Sequence, residues 1–377
     1  MANREKIALT YFYSENWIAG SYYVVNIIEA FNSLPDEEKP YLYVIIDKTE
    51  GLHLVQAVRY PYLRLVNLNQ NDDGLIVKYL RKISNRLFKS DLIFRRRLAG
   101  VQHVFEGSAS FNFIPRHYYW VHDFQQLRLP GFFTPEEAAS RSALPARVAK
   151  LKGATLILSS RDALNDFNTY FPGYLCDVRV LRFASSLPDL SAVDLSEEKQ
   201  KFGITAPYFL CSNQFWQHKN HRLVLEAINL LKNKGLEFHV LFTGKPYDFR
   251  NPTYFTGLEA FVRENELERW VKFLGFIDRK VQVALARNAI CYIQPSLFEG
   301  WSTTVEDAKF LNKYVLLSDI PVHREQLDYN VTFFNPADAA ELASHMETFI
   351  KTPPATVNVD YRQNIKAFGK DLIETFS

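Results

Sequence analysis

The chain has 377 residues, with 44 Lys and Arg against 42 Asp and Glu, and a formal net charge of +2. A charge this balanced excludes a protein whose main task is to coat nucleic acid, so no nucleic-acid partner is expected. The 47% hydrophobic and 23% charged residues exclude a disordered or low-complexity chain, and the length favours two or three domains. Three distant cysteines without a CxxC pair indicate a reducing cytoplasm.

The first half of the chain alternates β-rich runs with helical patterns, which predicts a parallel α/β sheet. The predicted strands cover residues 7–13, 41–46, 118–121 and 154–158, and helices cover 23–31 and 135–151. Ligands of such sheets bind at the carboxyl ends of the strands. Gly20, between the first strand and helix, and His122 with Asp123, after the strand at 118–121, are therefore expected at the crevice.

The second half repeats this alternation after a Ser-, Asp- and Pro-rich segment at 185–196, which is the predicted linker. Its predicted strands cover 208–211, 238–242, 271–274, 289–293 and 314–317, and its helices cover 221–234, 256–265, 279–288, 303–311 and 337–351. The sequence thus predicts two doubly wound sheets that face each other across a cleft. The predicted domains are residues 1–188 and 189–360.

Two features bear on membrane contact. No apolar run reaches the ~18 residues of a transmembrane helix, and no signal peptide is recognisable at the start. The segment from Lys78 to Gly100, however, carries eight basic residues against one acid on an amphipathic helical pattern. This pattern fits either a solvated helix face or peripheral contact with anionic lipid on the inner face of the membrane.

The segment 294–309 carries the richest chemistry. A strand ends near Pro295, a loop presents Glu299 among small and polar residues, and a helix begins near Thr303. Thr303 and Glu306 fit the capping-box spacing T-x-x-E, so the N–H groups of this helix should point into the loop and suit an anion. A carboxylate beside these amides suits a ligand that has both hydroxyl and phosphate groups.

At this loop the sequence resembles the retaining family-4 glycosyltransferases of GT-B fold. Their pattern E-G-F-G-x-x-x-x-E-A contains two glutamates with seven residues between them. The pattern aligns without gaps and places Glu299 on the first glutamate and Asp307 on the second, with Glu306 as the neighbouring alternative. Two residues depart from the pattern: Asp307 replaces glutamate, and Ser302 stands where the family has glycine.

The resemblance extends upstream of the loop. Residues 209–221 resemble the family's strand, G-R-x-x-x-x-K-G and helix unit, whose Arg and Lys hold the donor diphosphate. Lys219 falls on the lysine, whereas uncharged Gln214 falls on the arginine. His218 either compensates for this loss of charge or lies at the surface. The segment 271–277 resembles the part of the family that brackets the nucleotide base, and Gly244 reads as a strand-end glycine.

The resemblance covers most of the chain and implies a GT-B fold, α/β with two Rossmann-like doubly wound domains. It implies that residues 1–188 bind the acceptor, that residues 189–360 bind the donor, and that 361–377 form a helix that crosses back to the first domain. It implies transfer of a hexose or deoxyhexose, with retention, from a nucleoside diphosphate sugar to a glycan or lipid-linked glycan, in surface polysaccharide or glycolipid synthesis. No cofactor and no metal is implied. Glu299 and His122 are the implied catalytic residues. The implied donor-binding residues are Gly20, Gln214, Lys219, Phe276, Ile277, Gly300, Trp301, Ser302, Thr303, Glu306 and Asp307.

Three other functions remain open at this point. The missing charge at Gln214 is compatible with a non-catalytic subunit that binds a sugar nucleotide or a glycan. A nucleotide-sugar epimerase, or a phosphorylase carrying pyridoxal, could use the same two-domain plan. The basic segment from Lys78 to Arg97 is compatible with a scaffold on a membrane surface.

Overall fold

The computed structural model describes residues 4–15, 18–67, 92–107 and 111–377. Within these ranges, seven parallel strands form a first sheet in the order β3-β2-β1-β4-β5-β6-β7. These strands are β1 Lys6–Tyr11, β2 Tyr41–Ile46, β3 Leu63–Asn67, β4 His103–Phe105, β5 Arg116–Val121, β6 Thr155–Leu158 and β7 Asp177–Val180. The order reverses between β1 and β4, so a crevice opens at their carboxyl ends.

Six further parallel strands within the described ranges form a second sheet, in the order β10-β9-β8-β11-β12-β13. They are β8 Tyr208–Ser212, β9 His239–Thr243, β10 Val271–Gly275, β11 Tyr292–Gln294, β12 Val315–Ser318 and β13 Val331–Phe334. The order of this sheet reverses between β8 and β11. The prediction of two doubly wound parallel sheets is therefore confirmed.

Helices connect the strands and cover the sheets. They are α1 Ile18–Asn32, α2 Leu52–Ala57, α3 Leu92–Arg97, α4 Gln125–Arg128, α5 Pro135–Val148, α6 Arg161–Tyr170, α7 Leu195–Lys201, α8 His221–Leu231, α9 Tyr254–Glu264, α10 Arg279–Asn288, α11 Thr303–Phe310, α12 Pro321–Gln326, α13 Ala339–Lys351 and α14 Arg362–Phe376. Because helices lie on both faces, central strands such as β8 are buried along their whole length.

Helix α14 packs against the first domain although it follows the second in the chain. A Cβ atom at Gly369 would press against the carbonyl oxygen of Ala30 in α1, so the two helix backbones are in close contact. The ring of Phe376 lies edge-on to Tyr118, with 4.6 Å between the ring centroids. Strand β7 ends at residue 180 and β8 begins at residue 208, and the predicted domain boundary at 188/189 falls between them. That boundary stays a prediction.

The described part of the chain has no helix that is both long and apolar enough to cross a membrane. Most of the basic segment proposed for membrane contact, residues 78–91, lies outside the described residues. Its end forms α3, where Arg95 and Arg96 are exposed. The guanidinium of Arg95 lies 4.9 Å from the ring centroid of Phe113.

Candidate active site

A cavity of about 1340 Å³ lies between the carboxyl ends of the two sheets and is lined by both domains. It exceeds the ~300–1,000 Å³ of typical small-molecule sites, so it has room for two ligands side by side. Most of the residues that the sequence predicts for the site line this cavity. They are His122, Gln214, Lys219, Phe276, Ile277, Glu299, Gly300, Trp301, Ser302, Thr303 and Asp307.

Gly20 does not belong to a glycine loop at the cavity, as the sequence resemblance implied. Helix α1 begins at Ile18, so Gly20 lies in its first turn and is buried. Ser21, the next residue, contacts the segment that follows β1: its hydroxyl donates to the carbonyl oxygen of Phe12 at 3.0 Å. The side chain of Tyr22 lines the cavity from this helix.

The prediction of Glu306 as a donor-binding residue does not fit the structure, because its carboxylate is buried away from the cavity. It accepts hydrogen bonds from Lys309 Nζ at 2.9 Å, from Gln326 Nε2 at 2.9 Å and from the Tyr361 hydroxyl. The predicted capping box is wrong as well. Ser302 caps α11 by accepting from the backbone N–H of Val305 at 3.4 Å. Of the two acidic alternatives, only Asp307 lines the cavity.

Glu299 is held by three donors on one of its oxygens. Its Oε1 accepts from Lys219 Nζ at 2.6 Å, from Ser296 Oγ at 2.7 Å and from Gln294 Nε2 at 2.8 Å. The Glu299 side chain is only 8% exposed, and these three partners fix its position. The result is a rigid carboxylate beside an ammonium group at the wall of the cavity.

Gln294 and Asn213 support this pair and were missed by sequence reasoning. Gln294 ends β11 and Asn213 follows β8, and Asn213 Nδ2 donates to Gln294 Oε1 at 2.9 Å. This contact joins the two strands at the point where the sheet order reverses. Amides at the ends of these two strands are the sequence signal that could have indicated the contact.

The position where the family has arginine is neutral in this structure. Gln214 Oε1 accepts from the backbone N–H of Lys245 at 2.8 Å and so ties the loop after β8 to the loop after β9. His218 supplies no charge in its place, because burial, helped by the charges of Lys219 and Arg250, holds its pKa well below the ordinary value. The lowered pKa argues against His218 as a compensating charge, and the predicted alternative of a surface position is wrong because His218 is only 5% exposed.

Gly244 has a larger structural role than a strand-end glycine. It lines the cavity at φ +144°, and a Cβ atom there would overlap the carbonyl oxygen of Asn213. Only glycine allows the ends of β8 and β9 to approach this closely.

Arg279 is a further cation at the cavity, and the sequence did not reveal its role. It begins α10, and its Nη2 donates to Asp307 Oδ1 at 2.6 Å. Burial raises the pKa of Asp307, and the Arg279 guanidinium opposes this shift. The guanidinium also lies 5.6 Å from the ring centroid of Tyr22, in the first domain. The pair therefore sits where the two domains meet.

His122 follows β5 and faces the second domain across the cavity. Its Nε2 lies 3.4 Å from Asp123 Oδ2, and Arg141 donates to Asp123 Oδ1 at 2.7 Å. Burial lowers the pKa of His122, and the Asp123 charge offsets only part of this shift. The imidazole is therefore neutral at pH 7, when it can both donate and accept a hydrogen bond.

Gly300 brings the loop after β11 against the first domain. A Cβ atom at this position would overlap the carbonyl oxygen of His122. Next to it, the Trp301 indole N–H donates to the carbonyl oxygen of Phe183 at 3.1 Å. Because Gly300 has no side chain, the two walls of the cavity can approach each other this closely.

If the cavity is the site of sugar transfer that the resemblance implies, we expect Gly300→Ala to lower the transfer rate about a hundredfold, because the added methyl group moves the loop of Glu299 away from His122. Steady-state kinetics measures this effect, and calorimetry should show nucleotide affinity changed by less than about threefold, since the overlap is with the other domain. Gly257→Ala is the matched control, as nothing lies within 4 Å of its Cβ position. Equal loss of turnover in both variants would contradict this role for Gly300.

The sequence of the second domain matches a known family. Residues 194–371 match the family model described as glycosyl transferases group 1. The chain is 27% identical over 165 residues to the O-antigen chain mannosyltransferase RfbU of Salmonella typhimurium, and 26% identical over 153 residues to the alpha-1,3/1,6-mannosyltransferase ALG2 of Mus musculus. These matches cover 43% and 38% of this chain, and only 42% and 37% of the relatives' lengths.

Solved structures share the whole fold at low sequence identity. HepE from Anabaena, solved with UDP and glucose, has a TM-score of 0.66 at 16% identity, over 99% of this chain and 97% of its own. Sucrose-phosphate synthase from Thermosynechococcus elongatus has a TM-score of 0.64 at 14% identity, over 99% and 95%. The fold is therefore that of the GT-B glycosyltransferases, with two parallel-sheet α/β domains.

Proposed function

We propose that this protein is a retaining glycosyltransferase. It moves a hexose or deoxyhexose from a nucleoside diphosphate sugar to a hydroxyl group of a glycan or lipid-linked glycan. The observation that carries the proposal is the buried Lys219–Glu299 pair beside the N-terminus of α11, facing a cleft that both domains line. The family match of residues 194–371 supports the transferase class, although it leaves the donor, acceptor and stereochemistry open.

The second domain is the proposed donor site. Lys219 offers an ammonium to the diphosphate, and α11 offers the amides of Thr303 and Thr304, its first two residues. Asp307, steadied by Arg279, is placed to accept hydrogen bonds from the ribose hydroxyls. Phe276, which is half exposed at the cavity, offers its ring to the base.

Glu299 is proposed to orient the donor sugar. In the transfer step, the bond between the anomeric carbon and the diphosphate oxygen breaks, and a bond from that carbon to the acceptor oxygen forms on the same face. The acceptor proton passes to the departing phosphate. Lys219 and the α11 N-terminus stabilise the developing negative charge, which is the main source of rate acceleration in such a site.

The first domain is the proposed acceptor site. Its wall of the cavity includes His122, whose neutral ring can contact a hydroxyl of the sugar or of the acceptor. The names of the two mannosyltransferase relatives make mannose the first hexose to test, and the O-antigen role in one name supports surface polysaccharide synthesis.

The proposed function is tested by incubating the protein with GDP-, UDP-, dTDP- and ADP-hexoses and a panel of glycan acceptors, and by following anomeric protons by NMR. The expected product keeps the anomeric configuration of the donor. An inverted product would contradict retention. Nucleotide binding without transfer to any acceptor would favour the second candidate, a sugar-nucleotide-binding subunit, which the neutral Gln214 position makes plausible.

A further inference from the structure

A second cavity, of about 330 Å³, opens beside the proposed active site. We propose that it is a subsite for an additional sugar residue of the glycan acceptor, beyond the residue that receives the transferred hexose. This inference rests on the proposed function. The first domain lines the cavity with residues 131–134 and Glu137, and the second domain with residues 217–218 and 248–251. His218, Phe249 and Arg250 line both this cavity and the large cleft.

Aromatic rings form much of the wall of this cavity. Phe132 and Phe133 come from the first domain, and Phe249, which is 61% exposed, comes from the second. An exposed phenylalanine ring adds nothing to a core, but its face packs well against the apolar C–H face of a pyranose ring. Such rings combined with a few fixed polar groups are the composition of a small-molecule site.

The polar groups of the cavity are fixed by a buried network. Asp248 is only 2% exposed, and it accepts from Gln217 N at 3.0 Å and from Arg250 Nε at 3.2 Å. Arg250 Nη1 also donates to Gln125 Oε1, in the first domain, at 3.1 Å. The Arg250 side chain is 8% exposed, and its guanidinium lies 5.0 Å from the ring centroid of Phe133. The network therefore joins the two domains and holds the cavity in shape.

Hydrogen-bonding capacity remains for a ligand. Asn251 Nδ2 donates to Gln217 Oε1 at 3.0 Å. The side-chain N–H groups of Gln217 have no partner among the residues that the structure describes, so they can donate to ligand hydroxyls. The charges of Asp248 and Arg250 neutralise each other, which favours an uncharged ligand over a phosphate or an acidic sugar. The volume is at the low end of the ~300–1,000 Å³ range for ligand sites and suits one sugar unit.

The position of the cavity indicates which residue of the glycan acceptor would occupy it. The small cavity and the cleft share a wall. A glycan whose terminal residue lies in the cleft can therefore extend into the small cavity. A single sugar cannot fill both spaces. The protein should therefore bind an oligosaccharide more tightly than the corresponding monosaccharide.

The test uses protein saturated with the nucleoside diphosphate that binds it. Calorimetry then measures the affinity of methyl α-mannoside, α-1,3-mannobiose and α-1,3-mannotriose, and of methyl α-glucoside, maltose and maltotriose. In at least one series the oligosaccharides should bind about tenfold more tightly than the methyl glycoside. Phe132→Ala and Phe249→Ala should remove this gain. Tyr247→Ala is the matched control, because Tyr247 lies in the loop of Phe249, is 50% exposed and lines neither cavity.

Equal affinity for monosaccharides and oligosaccharides in both series would overturn the subsite, and so would a gain that survives in Phe132→Ala. Failure of the proposed function has a separate signature, because it appears as the absence of nucleotide binding before any saccharide is added. That outcome would overturn the subsite as well. Nucleotide binding in Phe132→Ala must equal that of the parent protein, since Phe132 does not line the cleft.

Discussion

Replacing Glu299 by Gln should lower the rate of sugar transfer by about a hundredfold or more, which corresponds to ~2.7 kcal/mol of transition-state stabilisation. The glutamine keeps the shape of the side chain, but it removes the charge that three donors hold at the wall of the cavity. Single-turnover kinetics at saturating donor measures this loss, and the thermal midpoint reports whether the fold is intact.

Glu306→Gln is the matched control for this variant. Glu306 also lies in the loop and helix segment 294–309, but its carboxylate bonds to Lys309, Gln326 and Tyr361 and lines no part of the cleft. We expect this variant to lose stability, because a buried ion pair is broken, and to keep its turnover rate per folded molecule. Near-normal kinetics in Glu299→Gln would remove Glu299 from the catalytic site.

Replacing Lys219 by Met should weaken nucleoside diphosphate binding by ~1.5–3 kcal/mol, or about ten- to 150-fold. The variant loses a charge-assisted contact with the diphosphate. It also leaves the Glu299 carboxylate without its cation, so that the uncompensated charge repels the ligand. Calorimetry with the diphosphate and with the corresponding nucleoside separates the phosphate contact from contacts to the base.

The double variant Lys219→Met with Glu299→Gln tests the second part of this explanation. Because both charges are gone, it should bind the diphosphate more tightly than Lys219→Met alone. Lys234→Met, at an exposed ion pair with Glu347, serves as the control and should bind like the parent protein. An unchanged affinity in Lys219→Met would show that Lys219 does not contact the diphosphate.

The sequence predicts the positions of site residues best where strand, loop and helix follow one another without a break. Residues 294–309 carry the end of β11, the loop and the start of α11, and local patterns were enough to place Glu299 and Asp307 at the cleft. The alternation of elements predicted both sheets in the same way. Strands β3, β7 and β13 were missed because they lie at sheet edges and are only partly buried, so they lack the continuous apolar run of a buried strand. Strand β4 was missed because it has only three residues, too few for a periodic pattern.

Features that depend on contacts between distant residues could not be predicted. Arg279, the first residue of α10, pairs with Asp307 in the middle of α11, and neither position alone indicates the other. Glu306 was misassigned because a capping pattern says nothing about the hydroxyl of Tyr361, which approaches it from the start of the closing helix. Gly20 was misassigned for a different reason: the glycine was interpreted as part of a loop, whereas it lies inside α1.

The most direct test of the central claim, that the Lys219–Glu299 cleft binds a nucleoside diphosphate, is a thermal-shift measurement with UDP, GDP, dTDP, ADP and CMP. A ligand present at a hundred times its Kd adds ~2.7 kcal/mol to stability, which raises the midpoint clearly. We predict a shift with one diphosphate in the parent protein and a much smaller one in Lys219→Met. No shift with any nucleotide, or an equal shift in both proteins, would contradict the claim.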